Sequence, residues 1–384
     1  MNSTRVYLDN AATTPLLSPV REAMEPYLND SYGNASSPYA LAREARMALD
    51  GARTQVARLI GANADEIAWT GSGTEADNWA LLGVALAHFG EKGHFIVSAI
   101  EHHAVLESAG TLGELGFEVS FARPDQNGVV QPDEIAGLLR GDTRLVSLMS
   151  CNNEIGTAQP VAEVARLCRE RGVLFHVDAT QSAGKEPLDV DFAAVNGTGG
   201  GADLLTISAH KIGGPKGAGA LYIRRGTKMR PLIRGGAQER GRRAGTENVA
   251  AIAGFGEATR LALEHLEPNT AHLQALQTRL ETNLTALPNV EIVASQAPRL
   301  PHITSFLARG KRAESLALSL DLRGFAVGTG SACASGALDP SHVLAAMGYN
   351  RDDARSVLRV SLGVCNSEAD VDEFVGELER LLKK

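Results

Sequence analysis

Cysteine is scarce in these 384 residues: four thiols, Cys151, Cys168, Cys333 and Cys365, with no Cys-x-x-Cys pair and no Cys/His spacing of the zinc-finger kind. That excludes a disulfide-stapled scaffold and gives no resident metal site; four scattered thiols fit a reducing compartment, so a cytoplasmic location is expected. Long apolar runs are missing too. The longest uncharged one, around Ala80 to Ala87, is too short to cross a bilayer, and Met1 to Asp9 lacks the apolar core of a signal peptide, so no membrane partner is expected. Nor is there a concentrated block of basic residues. With 37 Lys+Arg against 45 Asp+Glu the net charge is −8, which argues against nucleic acid as a partner; one small basic loop, Arg234 to Arg243, stands apart.

What the chain does have is length and glycine. At roughly 150 residues per domain it holds two or three structural units with room for a full core. Forty glycines are more than the usual ~7% share. No repeat or low-complexity linker is visible, and helical periods alternate with short apolar runs, the texture of an α/β protein. Helices are expected over Pro38–Ile60, Thr74–Phe89, Val161–Arg171, Thr246–Leu266, Thr270–Leu287 and Ser367–Leu382, the last opened by a Ser367/Asp370 capping box. Strands are expected over His94–Ser98, Leu145–Met149, Val173–Val177, Leu204–Ser208 and Ala220–Ile223. Several are apolar throughout, which favours a largely parallel sheet between helices. After Leu266 the texture changes: two long helices, then Ile303–Leu307 and the alternating Val357–Leu362, read as a smaller α+β unit.

In open α/β sheets ligands gather beyond the carboxyl ends of the strands, and the junctions there are polar in complementary ways. Thr70-Gly-Ser-Gly-Thr-Glu-Ala-Asp77 opens a helix, so its glycines, first-turn N–H groups and the Thr74 hydroxyl suit a phosphate, or form a plain capped loop. It lacks the third glycine of a dinucleotide fingerprint and the Gly-Lys-Ser/Thr of a P-loop. Asp178 follows an apolar strand and either pairs with a protonated pyridine nitrogen or serves as a helix cap or ion-pair partner. Lys211, in Ser208-Ala-His-Lys211, is either a solvated turn lysine or a Schiff-base amine. Taken together, phosphate turn, strand-end Asp and strand-end Lys are the parts that hold pyridoxal phosphate. Beside them His102, in Glu101-His-His103, is an acid/base candidate rather than an ordinary satisfied histidine.

Small residues flank Cys333 in Val327-Gly-Thr-Gly-Ser-Ala-Cys-Ala-Ser-Gly336, which suits an exposed, travelling thiol nucleophile; a buried inert cysteine is the alternative. Arg359 either grips a substrate carboxylate with its two-pronged fork or is an exposed strand charge. Asn34 and Asn153 are further polar candidates, or turn residues.

These segments are similar to a known family. Tyr7-Leu-Asp-Asn-Ala-Ala-Thr-Thr-Pro15, Gly73-Thr-Glu-Ala-Asp-Asn78, Glu101-His102, Val177-Asp-Ala-Thr-Gln181, Ser208-Ala-His-Lys211, Arg243-Ala-Gly-Thr-Glu-Asn248 and Gly330-Ser-Ala-Cys333 run in order through the chain and resemble the cysteine desulfurases of the NifS/IscS-like group, class-V aminotransferase relatives that depend on pyridoxal 5'-phosphate. The resemblance implies fold type I: a large domain with a mainly parallel seven-stranded sheet between helices, and a smaller α+β domain. The divisions it suggests are an arm at 1–15 associated with the small domain, a large cofactor-binding domain at 16–257, and a small domain at 258–384 carrying the Cys333 loop.

Residue by residue, the resemblance implies that Lys211 carries the cofactor, Asp178 pairs with its ring nitrogen, Gln181 bonds its phenolic oxygen, His102 stacks on the ring and Asn153 lies beside it. Gly73, Thr74, Ser208 and His210 would hold the phosphate, with Thr246 reaching in from the other subunit of a homodimer. Asn34 and Arg359, with Asn153 nearby, would bind the substrate L-cysteine. Lys211 or His102 would move the α-proton, and Cys333 would take the sulfur as a persulfide, leaving L-alanine. The sulfur would pass to an iron–sulfur cluster scaffold or another acceptor protein, Cys333 touching a cluster only transiently. The alternatives are a selenocysteine lyase, an aminotransferase of the same cofactor class, and a catalytically silent scaffold. Two departures from the family pattern stand out: the glycine-rich Asn196-Gly-Thr-Gly-Gly-Gly-Ala202, and Val364-Cys-Asn366, whose thiol Cys365 lies near the expected substrate clamp.

Overall fold

The computed structural model describes residues 5–192, 200–329 and 340–383. Cys333 and most of the glycine-rich 196–202 segment lie outside them. The N-terminal strand is β1 (Val6–Leu8). The larger sheet follows, from β2 (Ile67–Thr70), β3 (His94–Ser98), β4 (Glu118–Ala122), β5 (Thr143–Ser147), β6 (Leu174–Asp178), β7 (Leu204–Ser208) and β8 (Gly219–Ile223), in the spatial order β2-β8-β7-β6-β5-β3-β4. Strands β4, β3, β5, β6 and β7 run parallel, and β8 is antiparallel to both of its neighbours. The mainly parallel seven-stranded sheet expected from the sequence is therefore present. Every residue of β3, β6 apart from Leu174, β7 and β8 is buried, which is why those strands read as unbroken apolar runs. Strand β4 escaped notice because it is an edge with Glu118 and Phe121 exposed, and β2 because four residues carry little period.

Helices cover both faces. Trp79, Leu81 and Val84 of the helix Gly73–Ala87 pack with Phe95, Leu112 and Leu221 on one side; Val56, Ile60, Val164 and Phe255 pack with Ile96, Phe175 and Ile207 on the other. The helix expected over Thr246–Leu266 begins at Val249, because the Asn248 carboxamide oxygen accepts from the Ala251 N–H at 3.2 Å and caps it there. At the C-terminus, Ser367 and Asp370 form the expected capping box on the helix Glu368–Leu382.

The second sheet comprises β9 (Val290–Ile292), β10 (Ile303–Ala308), β11 (Phe325–Thr329) and β12 (Val357–Ser361), with β1 added to its edge, in the order β1-β11-β12-β10-β9. Its core joins Leu8 to Leu276, Leu280, Phe306, Leu358 and Phe374. The alternation read over Val357–Leu362 does not expose one face: all five residues of β12 are buried, because the strand lies between β11 and β10 and beneath the chain that leaves β1.

The basic loop is anchored rather than merely solvated. Glu239 accepts from Arg53 at 2.7 Å through both oxygens and from the Trp69 N–H at 3.0 Å, all buried, while Arg243 pairs with Glu75 at 2.8 Å. These bonds offset the left-handed backbone of Glu239 and Arg240, at φ +48° and +58°. Glu239→Ala leaves the Arg53 guanidinium buried without its counter-charge and is expected to destabilise the fold by about 3–5 kcal/mol. Denaturant unfolding of the variant beside the wild type checks this, and an unchanged midpoint would refute it.

Candidate active site

The carboxyl ends of the parallel strands converge on one cavity of ≈ 540 Å³. Asp178 ends β6, and Lys211 closes the tight turn Ala209–Lys211 that follows β7. Gly73 and Thr74 begin a helix capped by Ser72, whose hydroxyl accepts from the Glu75 N–H at 3.1 Å. His102 caps the helix His103–Glu114 after β3, and Asn153 follows β5. All of these line the cavity, as do Gln181, Ser208, His210 and Arg359. Gly219 lets β8 close on the turn before Gly73, since a Cβ there would lie 2.5 Å from the Ser72 carbonyl carbon.

The N-terminal arm forms part of the wall. Lys211 Nζ donates to the carbonyls of Ala11 at 2.5 Å and Ala12 at 2.9 Å, and Gln181 Nε2 donates to Ala11 at 2.9 Å. The arm is fixed in turn by β12: Asn10 Nδ2 donates to the Ser361 carbonyl at 2.9 Å, and the Ala11 N–H donates to Ser361 Oγ at 2.8 Å. Asp178 Oδ1 accepts from the Thr180 N–H at 2.9 Å, which orients its carboxylate at the strand end.

Three acids crowd the floor: Asp178, Asp77 and Glu101, each buried. Burial first, then the Asp178 charge, pushes Glu101 up to about 8, so it holds its proton at neutral pH, and the same two causes raise Asp77 well above the usual carboxylate range. Behind them His176 bonds Ser147 Oγ at 2.8 Å and Thr206 Oγ1 at 3.1 Å, and burial brings it down to about 4. His102 is lowered chiefly by burial. Its Nδ1 accepts from the Ala104 N–H at 3.1 Å, so the neutral ring carries its proton on Nε2.

Arg359 is 3% exposed, which overturns the reading of an exposed strand charge. One terminal nitrogen donates to the Asn153 carbonyl at 2.7 Å and the other meets Asp9 at 2.8 Å, while Nε is buried without a hydrogen-bond partner among the described residues. Gly328 makes room for this pair, because a Cβ there would stand 2.8 Å from Asp9 Oδ1 and 2.9 Å from the Arg359 terminal nitrogen. Arg359→Lys keeps the charge but loses the fork, so KM for a substrate gripped by its carboxylate should rise about tenfold or more with a smaller change in kcat. Steady-state kinetics would refute this with an unchanged KM.

Asn34 and Thr246 do not line this chain's own cavity. Asn34 is exposed and its side chain accepts from the Ser36 N–H at 2.9 Å, closing a local turn. Thr246 is exposed and does not line the cavity. Other residues arrive unannounced. Glu154 accepts a short hydrogen bond from Ser341 Oγ, and burial raises its carboxyl to about 7; His342 donates to the Glu101 carbonyl at 2.9 Å and faces His103, their ring centres 4.8 Å apart. Ser341 lies 187 positions from Glu154, so no local pattern announced the pair.

Residues 6–374 match the class-V aminotransferase family. The chain belongs to that family. It is 44% identical over 380 residues to a protein of Dictyoglomus turgidum named cysteine desulfurase IscS, the match covering 99% of this chain and 95% of that one. Among solved structures, a NifS-like protein 38% identical superposes with a TM-score of 0.91, covering 99% of this chain and 100% of the other. SspA in complex with cysteine, 34% identical, superposes with a TM-score of 0.83 over 94% of this chain and 99% of that one. Within the family the chain falls in the cysteine desulfurase group, whose members are pyridoxal-phosphate enzymes.

The residues present fit that cofactor. Ser208 Oγ is buried with no hydrogen-bond partner among the described residues, beside Gly73, where a Cβ would come 3.4 Å from both Ser208 Cβ and Thr180 Oγ1. An orphaned hydroxyl, a side-chain-free helix start and a strand-end carboxylate together form a cradle for an anion joined to a basic ring.

Proposed function

We propose that this chain removes sulfur from L-cysteine, takes it onto Cys333 as a persulfide and releases L-alanine, delivering the sulfur to an iron–sulfur cluster scaffold or another acceptor. The observation that carries the reading is the single cavity that unites Lys211, Asp178, His102 and the Gly73 turn with the buried fork of Arg359. Gly73, Thr74, Ser208 and His210 would hold the cofactor's phosphate, Asp178 its ring nitrogen and Gln181 its phenolic oxygen. His102 would cover the ring, with Asn153 beside it, and Lys211 would carry the cofactor covalently. When bound, pyridoxal phosphate supplies an electron sink for charge developing at the substrate α-carbon.

The chain's own groups do the rest. Arg359 orients the substrate through its carboxylate, held in place by Asp9 and the Asn153 carbonyl. The Lys211 amine, or His102 through Nε2, takes the α-proton. His210, brought down to about 4 by burial and by Lys211, stays neutral and presents no competing charge beside the lysine. The Cys333 thiolate attacks the substrate sulfur, whose own proton is released: an S–S bond forms, the carbon–sulfur bond breaks with its electron pair left on the substrate, the β-carbon takes up a proton, and the α-carbon regains the one removed from it, giving L-alanine.

Several parts of the reading extend beyond one chain. A homodimer is supported by exposed Leu28, Tyr32, Tyr39 and Met47 along one stretch and by exposed Thr246, three residues after Arg243 grips the phosphate-turn helix through Glu75. Asn34 would then act toward a neighbouring cavity or only in its own turn. The three-part division at 1–15, 16–257 and 258–384 is kept as part of the reading; position 257 falls inside the helix Val249–Glu264, and the next helix, Leu266–Thr285, starts after His265. A cytoplasmic location accords with the free Cys151, Cys168 and Cys365, and no helix among the described residues is long and apolar enough to cross a membrane.

The decisive experiment uses the wild-type holoenzyme. Its visible absorption band should shift when L-cysteine is added, and L-alanine and, with a reductant, sulfide should appear in equal amounts. A band that does not respond, or turnover without sulfide, refutes the proposal.

A further inference from the structure

Seven residues after Asp178, the same strand-end turn delivers a second lysine to the rear of the site. Gly184 bends the chain at φ +72°, where a Cβ would press to 3.0 Å from Ala262 Cβ and 3.1 Å from Ile212 Cγ2. Lys185 is then fixed at both ends of its backbone: its N–H donates to the Ser182 carbonyl at 3.0 Å, and its own carbonyl accepts from Thr270 Oγ1 at 2.9 Å. Its side chain is 9% exposed, and Nζ donates at 3.1 Å to the backbone carbonyl of Lys211, not to a carboxylate. A second cavity of ≈ 840 Å³ lies on this rear side; Lys211 lines both cavities, and Lys185 lines only the rear one.

We propose that Lys185 is a positioning residue for Lys211. Its ammonium clasps the carbonyl of the turn from which the catalytic amine reaches forward, and it sets a fixed positive charge behind that amine. The proposal rests on the reading of Lys211 as the cofactor-bearing lysine. Two strand-end turns, one carrying Asp178 and Gln181 and the other carrying Lys211, meet here through a direct polar bond between their chains. Lys185 locks one to the other on the side opposite the bonds that Lys211 makes to Ala11 and Ala12.

Burial, then the Lys211 charge, brings Lys185 down to about 8, so its ammonium predominates at neutral pH; of its neighbours, Glu186, raised to about 7 by burial, can carry a counter-charge, whereas Cys151 keeps its proton. The other titratable groups in its field are His210 and His302, both of which it helps to keep neutral. Repulsion between the two lysines is mutual, so a charge at Lys185 disfavours a proton on the nitrogen borne by Lys211.

The test titrates the visible band of the holoenzyme with pH in two variants. Lys185→Gln keeps an N–H donor for the Lys211 carbonyl but removes the charge; Lys185→Met keeps the stem and removes both. The band midpoint should rise by about one pH unit in each. In Lys185→Met kcat should also fall about tenfold while KM for L-cysteine stays within about twofold. Lys185→Arg, which retains charge and donor, should leave the midpoint in place. If the methionine variant fails to fold, the glutamine variant carries the test alone. An unmoved midpoint in Lys185→Gln overturns the proposal, whereas a wild-type holoenzyme with no visible band defeats the assignment of Lys211 instead.

Discussion

Lys211→Ala should abolish the visible absorption band and lower L-cysteine turnover by at least about 10³-fold, with unfolding stability nearly unchanged. The loss is large because no other lysine among the described residues lines the cavity. Lys185 points its Nζ at the Lys211 carbonyl from behind and lines only the rear cavity. The fold should tolerate the change because the bonds lost, to the Ala11 and Ala12 carbonyls, belong to an arm that Ser361 and the pairing of β1 with β11 also hold. Phosphate binding through the Gly73 turn and Ser208 should survive, so the variant should still bind the cofactor, but reversibly. Gel filtration followed by phosphate or cofactor assay measures this directly. A variant that retains its band and its turnover would remove Lys211 from the mechanism.

The legible part of the site was the part carried on strand ends. Asp178 and Lys211 were visible because an apolar run followed at once by a charge is an arrangement that only a strand end in an open sheet accommodates well, and both lie there. The helix start at Gly73 was visible because its cap is local: Ser72 and Glu75 are three residues apart. Arg359 was found as a residue, but its burial was not legible. Its partner Asp9 is 350 positions away, and β12 became a central strand only because the arm and β11 cover it. The same long range hid Glu154 with Ser341 and the contact of His342 with the Glu101 carbonyl. Lys185 gave no signal at all, since Gly184-Lys185 reads as an ordinary surface turn until the neighbouring strand brings Lys211 against it. Asn34 carried no local signal: its role came from resemblance alone, and within one chain its carboxamide oxygen accepts from the Ser36 N–H.

The arm motif shows how sequence and chemistry meet. Tyr7 to Thr14 looks like a mere extension, yet its carbonyls receive the Lys211 and Gln181 side chains, and its Asp9 braces Arg359. A short segment thus touches both the group that would carry the cofactor and the group that would orient the substrate. Its own register depends on β1 pairing in parallel with β11, Tyr7 opposite Ala326.

Cys333→Ala should stop sulfur release, a loss of about 10³-fold or more, while the visible band still responds to L-cysteine. The other thiols are poorly placed to replace it. Cys151 does line the active cavity, but burial raises its thiol far above neutrality, and its Sγ lies 3.5 Å from the Gly156 carbonyl oxygen as a weak donor. Cys168 is buried under the helix Val161–Arg171, with its thiol pushed up to about 12. Cys365 is exposed, yet it lines the rear cavity and not the one that holds Arg359 and His102. Only a thiolate can take the substrate sulfur, so Cys151→Ala and Cys365→Ala should each keep most of the activity. Mass spectrometry of the wild type after addition of L-cysteine should find one added sulfur on Cys333 and none on the other three. A fully active Cys333→Ala variant would refute the assignment, and an added sulfur on Cys151 would move the nucleophile to the thiol already inside the cavity.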